Sequence, residues 1–169
     1  MTTDNNFSTA EKQKTITIKR TFNLPLDTVW KAWTEPRNFK KWWGPEGYSC
    51  PYCEIDFRVS GKYLNSMKGP DGNEIWSTGS YKEIIYREKI VYTDSFANRW
   101  GKIIPAADYK MPGEWPLVLM VTVTFEEVNG KTNMVLRHSG LPAEMADDCI
   151  KGWESSFDKL ENNLKNADY

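Results

Sequence analysis

The chain has 169 residues with 22 basic and 23 acidic side chains, a formal net charge of -1, so charge gives no reason to expect nucleic acid or an anionic membrane as partner. The length suits one domain with a substantial core, and three cysteines without secretory context argue against a disulfide framework. Eight Trp, eight Tyr and seven Phe can fill a core or line a pocket, and composition does not separate the two uses.

In chain order, the opening MTTDNNFSTAEKQK is polar and lacks the apolar segment of a secretory signal. It is expected to be a disordered arm over residues 1–14, followed by a single domain over residues 15–169. No apolar run approaches the ~20 residues needed to span a bilayer, and the expected location is cytoplasmic. Thr15 to Phe22 alternates, with Ile16, Ile18 and Phe22 on one side, and reads as a half-buried strand. Next comes PLDTVWKAWTEPRNFKKWWGP, the most informative stretch. Leu26, Val29, Trp30 and Trp33 fall on one helical stripe. Pro25 suits a first turn, where Asp27 complements the helix dipole. Pro36 opens a second short helix carrying Phe39, Trp42 and Trp43 on one face, and Gly44-Pro45 stops it.

Cys53 to Val59 alternates again. Gly61 breaks the run, KYLNSM continues as a strand, and Gly69 to Glu74 is a turn. Ile75 to Ile85 and Lys89 to Phe96 read as further strands joined by a short connection. Ala97 to Pro116 has no period and carries Trp100, Tyr109 and Trp115, which makes it a long loop of the kind that is functional or disordered. Strands return at Leu117 to Glu126 and Thr132 to His138, around a turn at Asn129-Gly130. Pro142 opens the one long helix, where Met145, Cys149, Trp153, Phe157, Leu160 and Leu164 recur at helical spacing. Gly152 inside it costs ~1 kcal/mol against alanine, which points to a close approach of backbone or ligand there.

A curved antiparallel sheet closed by one long helix leaves a cavity between them unless side chains from the short helices plug it. The tryptophans are the natural plugs or walls.

The pieces PLDTVWKAWTEPRNFKKWWGP, DFRVSGKY, GSYKEI, VTVTF and GWESSFDKL, in this order from Thr15 to Leu164, resemble the START and Bet v 1-like helix-grip superfamily, also called SRPBCC. Within it the chain is similar to the family of the C-terminal domain of the activator of the heat-shock-protein-90 ATPase. The resemblance implies an α+β helix-grip fold, with a curved antiparallel sheet of about seven strands wrapped around a long C-terminal helix and two short helices after the first strand. It also implies a hydrophobic cavity, but no single chemistry and no common catalytic residue. Two departures stand out. The family's paired glycines appear here as Ser60-Gly61, and the loop from Ala97 to Pro116 falls where it would cover or fill the cavity mouth.

Cys50-Pro51-Tyr52-Cys53 has the letters of a glutaredoxin motif, but no helix follows to stabilise a thiolate, and the pair reads as a strand-entry loop. A zinc site from Cys50, Cys53, Cys149 and His138 would need ligands from separate elements, and no metal is assigned. His138, the only histidine, shares the register of Met134 and Leu136, so it faces inward as a ligand-orienting donor or as a strand-end histidine bonded to backbone or water. No catalytic residue and no cofactor is assigned. The expected function is binding of a small hydrophobic molecule, lipid-like or aromatic. Trp42, Trp43, Tyr63, Trp76, Tyr81, Trp100, Trp115, His138 and Trp153 are the candidate cavity residues. The alternatives are a stress-related, co-chaperone-like module with a protein partner, and a cyclase- or hydrolase-type enzyme using His138.

Overall fold

Alternation of apolar and polar side chains builds seven strands, and a computed structural model of the protein, which describes residues 12–165, arranges them in one antiparallel sheet. In chain order the elements are β1 (Gln13–Phe22), helices α1 (Leu26–Thr34) and α2 (Pro36–Phe39), strands β2 (Cys53–Ile55), β3 (Lys62–Lys68), β4 (Glu74–Ile85), β5 (Lys89–Ala97), β6 (Leu119–Val128) and β7 (Lys131–Pro142), and helix α3 (Ala146–Leu164). The sheet order is β1-β7-β6-β5-β4-β3-β2. Six strands therefore follow one another as a meander, and β1 closes the edge beside β7. Residues 1–11 of the expected arm lie outside the described residues, whereas Gln13 and Lys14 already pair with Pro142 and Leu141.

Two elements are shorter than the sequence pattern predicts. The strand expected from Cys53 to Val59 ends at Ile55, because the backbone then turns on itself. Arg58 N–H bonds the Asp56 carbonyl at 2.9 Å, and the Arg58 Nε donates to the Asp56 carboxylate at 3.0 and 2.9 Å. Such local bonds offer the backbone an alternative to the ladder. Helix α2 spans one turn only, and Trp42 and Trp43 follow its end in a continuing turn, in which Trp43 N–H bonds the Phe39 carbonyl at 3.1 Å.

Helix α3 crosses the inner face of the sheet and is tied down at both sides. Arg20 of β1 reaches Asp158 at 2.7 Å and Glu161 at 3.3 Å. On the other side, Lys159 Nζ donates to the carbonyls of Gly44 and Tyr48 at 3.0 and 2.9 Å, and Asn163 donates to the Lys41 carbonyl at 2.6 Å.

The tryptophan-rich stretch fills one half of the space beneath α3. Trp33 meets Trp42 at 4.9 Å between ring centroids, and Trp42 lies 6.0 Å from Phe157 of α3. Trp30 packs edge-on against Phe57 and Phe125. In the C-terminal half of α3, the side chains of Phe157, Leu160 and Leu164 are fully buried in the core beneath the helix. The other half of the space stays open.

Candidate functional site

The open half is a cavity of about 370 Å³ between the N-terminal half of α3 and the sheet. Helical spacing puts Asp148, Cys149, Gly152, Trp153 and Ser156 on the α3 face that walls it, and Met145 joins them from the residue just before α3. Strand alternation supplies Ile75 and Ser77 from β4, and Asp94, Leu119 and His138 come from β5, β6 and β7. The turn after α2 adds Trp43 and Tyr48. The lining is overwhelmingly apolar and aromatic.

The long loop between β5 and β6 is an ordered strap, and it contributes Met111 and Trp115 to the wall. The Tyr109 hydroxyl fastens it to the sheet by donating to the Ala97 carbonyl and accepting from Trp76 N–H. Gly113, at φ +94°, closes the strap against Pro142 and Glu144 so tightly that a Cβ would come within 2.9 Å of both. Trp115 stands edge-on to Phe96 at 5.3 Å.

The candidate residues divide into four groups. Trp43, Trp115, His138 and Trp153 line the cavity together. Tyr63 and Tyr81 line a separate void of about 20 Å³ with Asn65 and Tyr92. Trp42 is core, 0% exposed, its indole N–H donating to the Ala32 carbonyl at 2.9 Å. Trp76 and Trp100 stand away from both spaces. Alternation on β4 turns Trp76 opposite to Ile75 and Ser77, where its ring meets Tyr52 at 5.3 Å. Trp100 is 81% exposed at the strap tip. A tryptophan count in sequence does not reveal which face each ring takes.

Asp94 is the polar residue that the sequence reading missed. It shares the parity of the buried Ile90 and Tyr92 on β5, and an acidic side chain in an inward register was the available signal. Its Oδ1 accepts the Tyr63 hydroxyl at 2.9 Å, and its Oδ2 lies 3.5 Å from His138 Nε2. The two residues come from β5 and β7 with β6 between them, so no local spacing could announce the pair. The Trp153 indole N–H donates to His138 Nδ1 at 3.1 Å, which assigns the ring proton to Nε2 in the neutral tautomer. Gly79 holds this corner in place, since a Cβ there would lie 1.7 Å from the Thr93 carbonyl oxygen and 2.8 Å from the Tyr63 ring.

The cysteines sit in no reactive setting. Burial pushes the thiols of Cys50 and Cys149 up to about 11 and that of Cys53 up to about 12. Cys53 opens a strand rather than a helix. Among the described residues, no group of three His, Cys, Asp or Glu side chains could hold a metal ion.

Burial, followed by the Asp94 charge, also raises the Tyr63 and Tyr92 hydroxyls well above 10.0. All these groups hold their protons more tightly folded than unfolded. Their stabilisation is therefore complete below the unfolded thiol value of 9.0 and is lost as pH rises through about 11 to 12. Thermal melts should show a Tm that falls with pH above about 9; a Tm constant into strong alkali would contradict this.

Fold and cavity together define a helix-grip domain, an antiparallel sheet closed by a C-terminal helix over an aromatic-lined hollow. The chain belongs to the family described as Activator of Hsp90 ATPase homolog 1-like protein, whose model matches residues 23–165. It is similar in structure to a protein of Chromobacterium violaceum, with 25% identity, a TM-score of 0.75 and coverage of 90% of this chain and 98% of that one. A protein of Staphylococcus epidermidis is 27% identical, with a TM-score of 0.68 and 95% of each chain covered. The AHSA1 protein of Silicibacter pomeroyi, at 19% identity, shares the fold with a TM-score of 0.70, over 89% of this chain and 97% of that one. No curated protein matches the sequence. Among the described residues, no helix is long and apolar enough to cross a membrane.

Proposed function

We propose that the chain holds a small hydrophobic molecule, lipid-like or aromatic, in the cavity between the sheet and α3. The observation that carries this reading is the cavity itself. Its volume of about 370 Å³ falls within the ~300–1,000 Å³ of ligand pockets, and its walls include the rings of Trp43, Trp115 and Trp153. Gly152 supports the same reading, because a Cβ there would meet nothing within 4 Å beyond its chain neighbours and the backbone of its own helix. The sequence-based expectation of a close approach at Gly152 is thus left to a ligand rather than to backbone.

A library of lipids and aromatic compounds tests the reading. A compound at about a hundred times its Kd should stabilise the fold by ~2.7 kcal/mol, raising Tm by roughly 5–10 °C. It should also change the emission of the wall tryptophans. A library in which no compound alters either signal would overturn the proposal.

A second reading rests on the family's description and on Trp100, whose 81% exposure gives an outer surface a large apolar group. In that reading the chain is a stress-related, co-chaperone-like module of the cytoplasm that docks a protein partner. Trp100→Ala would then remove partner binding and leave ligand binding intact. The third reading, a cyclase- or hydrolase-type enzyme, draws on the 3.5 Å approach of His138 to Asp94. Turnover that disappears in His138→Ala while binding persists would support it.

A further inference from the structure

The charged groups of the cavity are all of one sign. Two carboxylates line it, Asp94 within and Asp148 at the exposed rim of α3, and none of the described lining residues is Lys or Arg. Among the described residues, no lysine or arginine forms a salt bridge with Asp94. Its hydrogen-bond donor is the Tyr63 hydroxyl at 2.9 Å, and His138 Nε2 approaches to 3.5 Å without completing a hydrogen bond. The Tyr63 hydroxyl is a neutral donor, and His138 Nε2 is buried without a hydrogen-bond partner while its Nδ1 accepts the Trp153 indole N–H at 3.1 Å.

An anionic side chain on a largely apolar wall is costly to desolvate unless an opposite charge joins it. The faces of Trp43, Trp115 and Trp153 are themselves attractive to a cation. A carboxylate-headed guest such as a fatty acid would instead bring a like charge towards Asp94 without any basic side chain to receive it.

Resting on the cavity-binding reading above, we propose that the ligand is an apolar molecule bearing a protonated amine, with the amine seated at Asp94 and the apolar body among the tryptophan rings.

Calorimetric titration at neutral pH with three probes of one ring system, naphthylmethylamine, naphthylmethanol and naphthoate, separates this inference from the reading beneath it. The amine should bind at least about tenfold more tightly than naphthoate, with the alcohol between them. In Asp94→Asn, which keeps an oxygen to accept the Tyr63 hydroxyl, amine and alcohol should bind within about threefold of each other. The wild-type ranking decides the matter if that variant does not fold. Alcohol binding as tight as the amine, or naphthoate tighter than either, would overturn the amine assignment and leave cavity binding standing. Failure of all three probes to bind would overturn both. Loss of the preference in Asp148→Asn instead of Asp94→Asn would overturn the placement of the amine.

Discussion

Gly152→Phe should weaken binding of every cavity ligand by at least about tenfold while the protein stays folded. Position 152 lies on the α3 face that walls the cavity, one residue before Trp153, and its missing side chain leaves open space rather than a tight contact. A benzyl group there would project from the α3 wall into the cavity of about 370 Å³ and displace a guest lying against Gly152, Trp43 and Trp153. The substitution also removes a mid-helix glycine, which costs about 1 kcal/mol relative to alanine. Thermal stability of the free protein should therefore be unchanged or higher, and a ligand-induced rise in Tm should vanish. Binding that survives unchanged, in a variant whose melt is cooperative, would mean that the guest sits elsewhere. The pairing of unimpaired folding with lost binding is what separates a blocked cavity from a damaged core.

Trp42→Ala should have the opposite profile. This ring is 0% exposed, touches Trp33, Phe39 and Phe157, and donates its indole N–H to the Ala32 carbonyl. Truncating it leaves a void in the plug between α1, α2 and α3, and orphans a buried carbonyl. Loss of a buried tryptophan of this kind costs about 3–5 kcal/mol. For a chain of this size Tm should fall by roughly 6–20 °C. Chemical denaturation should show a lower midpoint, and a midpoint within error of wild type would show that the plug is not what holds α3 on the sheet. Trp115→Ala, on the strap, should cost far less stability, because that ring is only partly buried and its N–H serves the neighbouring Pro112 carbonyl.

These two residues mark the boundary between what the sequence makes legible and what it does not. The alternation in β1 and β5 and the helical stripe from Met145 to Leu164 read directly as elements, because each must present one apolar face to a common core. Trp42 and Trp43 are neighbours in the chain with the same side chain. One seals the core and the other faces the cavity, and only the turn that follows α2 decides between them. The same holds for Trp76, which alternation alone could have turned outward, and for Trp100, whose loop has no period to interpret. The Asp94–His138 pair escaped because antiparallel pairing across β6 brings together residues far apart in sequence. The end of β2 at Ile55 was hidden for a different reason, since Arg58 bonds back to Asp56 and the chain turns out of the ladder while keeping a strand-like pattern of letters.

The strap joins these observations. Its position from the end of β5 over to Pro142 follows from specific contacts of two residues, the Tyr109 hydroxyl on Ala97 and Trp76 and the close fit of Gly113 on Pro142 and Glu144, and not from any hydrophobic repeat. By supplying Met111 and Trp115 it converts what would be an open groove into a walled space. The short helices fill the half of the sheet they reach, and the half beyond them stays hollow.

The central claim is that this hollow receives a guest, and a crystal structure of the protein with naphthylmethanol, a neutral probe indifferent to the charge of Asp94, tests it most directly. The ring system should lie between α3 and the sheet, beside Gly152 and against Trp43, Trp115 and Trp153. A ring bound on the outer surface beside Trp100, or a hollow closed by rearranged side chains with the probe excluded, would contradict it.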